Sequence, residues 1–182
     1  MSDLWVFGYG SLMWRPGFDH VERVPARLPG LHRSLCVYSH VHRGTPEKPG
    51  LVLGLDRGGA CRGVAFRVVP DKRDAVIAYL RAREQVTMVY KEVARRIDLL
   101  DGTARTGSAL CYVVDRDHEQ YAGVLPTDVQ IDMVRHGHGQ SGPNDEYVLA
   151  TLDHMEEIGV TDRRLAVIGR ALRAPHLNAD AG

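Results

Sequence analysis

The chain has 182 residues, 44% hydrophobic and 25% charged, the proportions of a globular domain with its own core rather than a fibre or a disordered segment. Lys plus Arg total 23 and Asp plus Glu total 23, so the formal charge is zero and no overall field draws in nucleic acid or an anionic membrane. The longest apolar runs, 63–69 and 109–114, are of strand length, far short of the roughly 20 residues of a membrane-crossing helix.

Met1-Ser2-Asp3-Leu4 lacks the basic region and cleavage site of a secretory leader. These features predict one domain over residues 1–182. They also predict a cytoplasmic location with no nucleic-acid or membrane partner. Cys36, Cys61 and Cys111 are odd in number and widely spaced, which fits neither a disulfide framework nor paired zinc ligands, and reads as three buried apolar thiols.

Residues 4–7 are a short apolar strand running into Gly8-Tyr9-Gly10-Ser11, where two glycines permit a tight turn and close approach of a ligand. Residues 16–59 are rich in Gly, Pro, His and Arg, with strands expected at 31–38 and 51–55. A further strand is expected at 63–69. Pro70-Asp71 then breaks it and caps a helix whose apolar face is Ala75, Val76, Tyr79 and Leu80 and whose end falls near Arg83 or Glu84.

Residues 86–99 alternate in part, with Val93, Ile97 and Leu99 on one face, and read as a strand closed by an Asp101-Gly102 turn. Residues 109–114 return as a strand, 118–123 read as a loop or the first turn of a helix, and 137–143 as a loop. Asn144 is placed to cap a helix reaching about Ile158, with Gly159 as its terminator, and Asp162 to cap a last helix over 165–172. Strands, a helix, strands and more helices without βαβ alternation make the fold class α+β, with a sheet that can curl on itself.

Four stretches bear on chemistry. In Phe7-Gly8-Tyr9-Gly10-Ser11-Leu12, backbone N–H groups can face a carboxylate or an oxyanion, although Gly-x-Gly also occurs in plain turns. Glu84 stands at the end of a helix, where the macrodipole disfavours a carboxylate and raises its pKa; pairing with Arg81 or Arg83 at the surface is the other reading. Residues 42–50 are a polar run of turn formers, either a binding loop or a solvated one. Residues 141–147 open a helix whose N–H groups can hold an anion and whose Tyr147 can enter a cleft, or are simply a cap. His40-x-His42 and His136-x-His138 lack a Cys or carboxylate at zinc spacing, and no G-x-S-x-G elbow is present, so a metal-free, non-covalent mechanism is preferred.

Taken in order, Phe7 to Leu12, the His42 to Gly50 run, Arg83-Glu84 and Ser141-Gly142-x-Asn144-x-Glu146-Tyr147 resemble the ChaC-like family of glutathione-specific γ-glutamylcyclotransferases. The resemblance spans about residues 4–172, which it makes the core of the domain, and leaves 174–182 as a flexible tail. It implies a γ-glutamylcyclotransferase-like fold, a small mixed β-barrel flanked by helices. It also implies cleavage of glutathione to 5-oxoproline and cysteinylglycine without metal or organic cofactor. Carried onto this sequence, it makes Glu84 the catalytic acid/base and Tyr9, Gly10, Ser11, Leu12 and, more weakly, Tyr147 substrate contacts. After Arg83-Glu84 the chain reads Gln85-Val86-Thr87-Met88-Val89-Tyr90, a stretch that varies in the family and bears on the leaving group. The competing readings are a cyclotransferase for other γ-glutamyl amino acids or amines, and a non-catalytic sensor of a small metabolite. No oligomeric state follows from the sequence.

Overall fold

A computed structural model describes residues 3–174. The first strand, β1 (Leu4–Gly8), is followed by two long ones, β2 (Glu22–Ser39) and β3 (Gly50–Val68), which pair antiparallel along almost their whole length. Strict alternation explains the first half of β2: Val24, Ala26 and Leu28 point inward and are buried, whereas Arg23, Pro25 and Arg27 between them are exposed. Register shifts at Pro29/Leu31 and Leu35/Val37 bend the ribbon, the first of them beside Gly30 with φ of 81°.

The strands β4 (Tyr90–Leu99) and β5 (Thr106–Val114) form a hairpin. β4 also pairs with β2, and β5 pairs parallel with β1, which closes a barrel in the order β1-β3-β2-β4-β5. Phe7, Leu28, Leu51, Leu55, Phe66 and Ile97 are fully buried in its core. Helix α1 (Arg73–Glu84) lays Val76 and Leu80 against Leu4, Val6, Val68 and Tyr112, while α2 (Thr127–His136), α3 (Asn144–Glu157) and α4 (Arg163–Arg173) pack on one another and onto the barrel core. Between α2 and α3 lie two-residue strands, β6 (His138–Gly139) and β7 (Gly142–Pro143). Among the described residues, no helix is long and apolar enough to cross a membrane.

The expected α+β class with a curled sheet is present as this barrel, and each expected strand overlaps an observed one. The differences have local causes. The segments 51–55 and 63–69 are parts of a single strand, β3, because the glycines between them, which read as breaks, are absorbed at the bend of the ribbon. The strand expected from Val86 begins at Tyr90, since Val86 and Met88 are exposed and Met88 has φ of 60°. On α1, Tyr79 and Ala75 are exposed, and the buried stripe is Val76 and Leu80. Helix α2 has no counterpart in the sequence reading: it buries only Val134 completely, so its apolar stripe is thin. The expected tail falls almost wholly beyond residue 174, outside the described residues.

Asn144 does not cap α3. The position before the helix is Pro143, and the Asn144 side chain, fully buried, spans to β3: its Oδ1 accepts from Leu51 N–H at 2.7 Å and its Nδ2 donates to Leu51 C=O at 2.8 Å. The amide thus replaces a missing strand partner for one residue of the barrel. Asn144→Leu leaves both Leu51 groups buried and unpaired, at roughly 1–3 kcal/mol each. A clear fall in denaturation midpoint by circular dichroism is expected, with an unchanged midpoint contradicting this role.

Candidate active site

β1 ends at Gly8, and the chain turns into a short 3-10 helix, Ser11–Met13. A Cβ at Gly8 would meet Leu12 Cβ at 3.1 Å and Met13 N at 3.2 Å, so the turn folds back too tightly for a side chain there. Gly10 is different: a Cβ built on it meets nothing within 4 Å, which leaves its backbone open to approach. Met13 N–H bonds to Gly10 C=O at 2.9 Å, while the N–H groups of Gly10, Ser11 and Leu12 have no acceptor among the described residues. Three consecutive free donors form a concavity suited to an anionic oxygen.

Two arginines hold this loop. Arg33, from β2, is only 3% exposed; its Nε donates to Tyr9 C=O at 2.6 Å, Nη2 to Arg62 C=O at 2.7 Å and Nη1 to Asp162 Oδ2 at 3.1 Å. Asp162 in turn caps α4 by accepting from the N–H groups of Arg164 and Leu165, as its place in the sequence predicts. Arg83, in the last turn of α1, donates to Arg15 C=O at 2.7 Å and Ser11 Oγ at 2.8 Å, and its Nε lies 3.2 Å from Glu84 Oε1. The end of α1 is thereby tied to the loop after β1.

Glu84 faces that loop across a cavity of about 100 Å³ lined by Tyr9, Gly10, Ser11, Leu12, Leu53, Glu84, Tyr90 and Tyr147. All six residues singled out from the sequence therefore meet in one place, although they come from the loop and 3-10 helix after β1, from α1 and from α3. Leu53 and Tyr90 join them unannounced. Tyr90 carried only a weak signal, as an aromatic six residues beyond Glu84; Leu53 is set by barrel register alone. Larger concavities exist, one of about 420 Å³ between Arg57, Arg62, Asp162 and Arg163, but its carboxylate is already bonded to Arg33 and it does not reach Glu84.

The electrostatics single out one group. Burial raises the pKa of Glu84 above that of an ordinary carboxylate, and the neighbouring Arg83 offsets this only in part. Burial, rather than the helix terminus, is the leading cause. Arg81 is not its partner: that side chain forms a two-point pair with Glu92 at 2.8 and 2.9 Å. The three tyrosines are held neutral. Burial pushes the Tyr9 and Tyr90 phenols well above the usual range, with nearby Glu84 adding to the effect, and raises Tyr147 as well. Tyr90 Oη donates to Leu53 C=O at 2.7 Å, and Tyr147 Oη accepts from Leu53 N–H at 3.2 Å. Glu84 is thus the one carboxylate in the cavity, walled by phenols that cannot share its proton near neutral pH.

The two remaining sequence features have other duties. Arg43 Nη1 donates to Ser141 C=O at 2.7 Å and Pro143 C=O at 3.1 Å, its guanidinium lies over the Tyr147 ring at 5.4 Å, and His42 Nδ1 bonds Ser141 Oγ at 2.9 Å. The 42–50 run therefore braces the 141–147 segment, and through it Tyr147, without lining the Glu84 cavity itself. Among the described residues no group of three or more His, Cys, Asp or Glu side chains could hold a metal. Cys36, Cys61 and Cys111 are buried and unbridged, with burial pushing their thiols up to about 12, 11 and 12.

Comparison with known proteins gives concordant findings. The sequence model of ChaC-like proteins matches residues 4–174. The chain is similar to the glutathione-specific gamma-glutamylcyclotransferase of Escherichia coli, 32% identical over 159 residues, covering 87% of this chain and 68% of that protein. It is likewise similar to the human glutathione-specific gamma-glutamylcyclotransferase 1, 32% identical over 169 residues, covering 91% and 76%. In fold it is similar to the crystal structure of the yeast gamma-glutamylcyclotransferase specific to glutathione, with a TM-score of 0.82 at 23% identity, covering 94% and 96% of the two chains.

Two outcomes are expected for stability. Arg33→Met strands Asp162 and two carbonyls and should cost about 3–5 kcal/mol in chemical denaturation; a loss below 1 kcal/mol, on the order of a surface pair, refutes the hub role. For Glu84, the native state holds the proton more tightly than the unfolded chain. Stability is therefore fullest below the unfolded carboxylate pKa and declines as pH rises through the higher native value. Glu84→Gln should melt above wild type at neutral pH, with the gap closing as the pH falls to that range. A gap independent of pH argues against a half-buried, destabilised carboxylate.

Proposed function

As this chain belongs to the ChaC-like family, we propose that it is a glutathione-specific γ-glutamylcyclotransferase, a lyase that releases 5-oxoproline and cysteinylglycine. The observation that carries the mechanism is the half-buried Glu84 carboxylate facing three free backbone N–H groups across a cavity smaller than the ~300–1,000 Å³ of a drug-sized ligand. Such a space suits the glutamyl end of the substrate.

In a γ-glutamyl amide the nucleophile is the substrate's own α-amine, so the enzyme has to fold the substrate and move protons. Glu84 takes a proton from the α-ammonium, for which a raised pKa brings donor and acceptor closer in strength. The amine attacks the γ-carbonyl, forming the ring C–N bond and a tetrahedral oxyanion. The protonated Glu84 then gives its proton to the departing nitrogen as the old amide C–N bond breaks; the restored carboxylate takes the second proton from the ring nitrogen and passes it to the released amine, which leaves as an ammonium while Glu84 returns to its starting state. The N–H groups of Gly10, Ser11 and Leu12 donate to the negatively charged oxygens of the substrate, while Tyr9 and Tyr147 wall the bent glutamyl chain. The neutral phenols do not compete with Glu84 for the proton it carries between the two nitrogens.

The enzyme works without metal or organic cofactor, since the attacking group, the acid and the base are all supplied by substrate and Glu84. Three unbridged thiols suit a reducing compartment, and we place the protein in the cytoplasm as a single domain with no nucleic-acid or membrane partner.

The test is 5-oxoproline release from glutathione by wild type and Glu84→Gln, with γ-glutamyl-alanine as a second donor. Wild type should act on glutathione and the variant should lose roughly 100- to 10,000-fold in kcat while staying folded. The rate for wild type should fall on acidification through a pKa above the ordinary carboxylate value, because the base must start ionised. A Gln variant of full activity removes Glu84 from the mechanism. Release from γ-glutamyl-alanine alone changes the substrate assignment, and ligand-induced stabilisation without turnover of either donor indicates a sensor.

A further inference from the structure

Arg67, Arg81, Arg105 and Arg116 each meet an Asp or Glu carboxylate, as expected in a chain whose cations and anions are equal in number. One cavity departs from that balance. Its volume of about 420 Å³ falls within the ~300–1,000 Å³ of small-molecule sites, and it lies between the bend of the β2–β3 ribbon and the start of α4. Arg33, Arg57, Arg62, Arg163 and Arg164 line it against a single carboxylate, Asp162. None of the residues around Glu84 takes part in it.

The one carboxylate does not offset these charges. Asp162 is spent on Arg33 Nη1 and on the N–H groups of Arg164 and Leu165, so the end of α4 is capped from within the chain and is not what would hold a ligand. Arg57, Arg62, Arg163 and Arg164 are exposed, and among the described residues their side chains have no hydrogen bond or ion pair; where bonds reach these residues, they involve the backbone. Four like charges around one concavity repel one another and focus a positive field into it. The floor is bare: His32 Nδ1 donates to Gly58 C=O at 3.1 Å, and Gly58, with φ of 101°, would carry a Cβ that meets nothing within 4 Å. Apart from His32 no aromatic ring lines the cavity, so it offers no platform for a nucleobase or an apolar body. The cations are all arginines, whose planar forks match the paired oxygens of phosphates and carboxylates better than a lysine ammonium does.

We propose that this cavity binds a small polyanion, a compact molecule bearing several phosphate or carboxylate groups, held by Arg57, Arg62, Arg163 and Arg164. Its concave shape favours a compact ligand over a nucleic-acid strand or an acidic polypeptide, which a basic stripe along the surface would follow. The site stands apart from Glu84 and does not depend on the cyclotransferase reading.

The experiment is isothermal titration calorimetry at physiological salt, with inorganic tripolyphosphate and citrate as separate probes. It compares wild type with the double variant Arg62→Ala/Arg163→Ala and with Arg73→Ala/Arg170→Ala, which removes the same charge outside the cavity. Wild type should bind at least one probe saturably, the tighter one identifying the group recognised. Arg62→Ala/Arg163→Ala should bind it about tenfold more weakly or worse, and the control should stay within about twofold of wild type. Because the substituted side chains are exposed and unbonded, circular dichroism melts without anion should not fall; Arg57→Ala/Arg164→Ala is the independent second variant, with the same loss of binding expected. No saturable binding of either probe, or equal weakening in the control, overturns the site. So does a lower melt in both cavity variants, which makes the arginines struts. Binding of a polyglutamate peptide or a single-stranded oligonucleotide but of neither small probe also overturns it, in favour of a macromolecular surface.

Discussion

The arrangement turns on one buried guanidinium. Arg33 is almost wholly removed from water, and a charge so placed is tolerable only if its donors are met. They are met by Tyr9 C=O in the loop after β1, Arg62 C=O in β3 and the Asp162 carboxylate that starts α4. One side chain therefore fixes the shape of the loop that lines the site, the strand beside it and the attachment of the last helix. With the Tyr9 carbonyl engaged by Arg33 and the Gly10 carbonyl by Met13 N–H, the adjoining N–H groups are left as the free polar face of the turn.

Across the cavity, Glu84 is held between two opposing influences. Burial favours its neutral form and Arg83 its ionised form, and burial prevails. Arg83 is a weak partner because its other donors are spent on Ser11, Arg15 and Pro16. The same side chain thus favours the ionised carboxylate and anchors the opposite wall of the site. A carboxylate so balanced accepts and returns a proton readily, as cyclisation by an internal amine requires.

The surrounding scaffold is mostly concerned with holding backbone. Two phenols grip the N–H and C=O of Leu53, and one buried amide grips those of Leu51 on the same strand. Arg43 and His42 brace the segment that carries Asn144 and Tyr147. Motifs that stand out in the sequence for their polarity are here largely struts, which explains why a polar run such as 42–50 marks a family without itself lining the cavity between Glu84 and the loop after β1.

The sequence by itself determined which local pieces exist: the strand entering Gly8, the helix ending at Glu84 and the Asp162 cap follow from alternation, periodicity and capping chemistry, which act over a few residues. It also marked Tyr9 to Leu12, Glu84 and Tyr147 through the resemblance, because their order along the chain is itself a pattern. Three things only the tertiary structure decided. The glycine-interrupted segments 51–55 and 63–69 are one strand because they share a partner, β2, whose bend local rules do not encode. Asn144 bonds a strand 93 residues away instead of its own helix, a choice between two acceptable partners that only packing can make. And the proton affinity of Glu84 comes from burial among residues distant in sequence, a property of the assembled cavity that no spacing along the chain can carry.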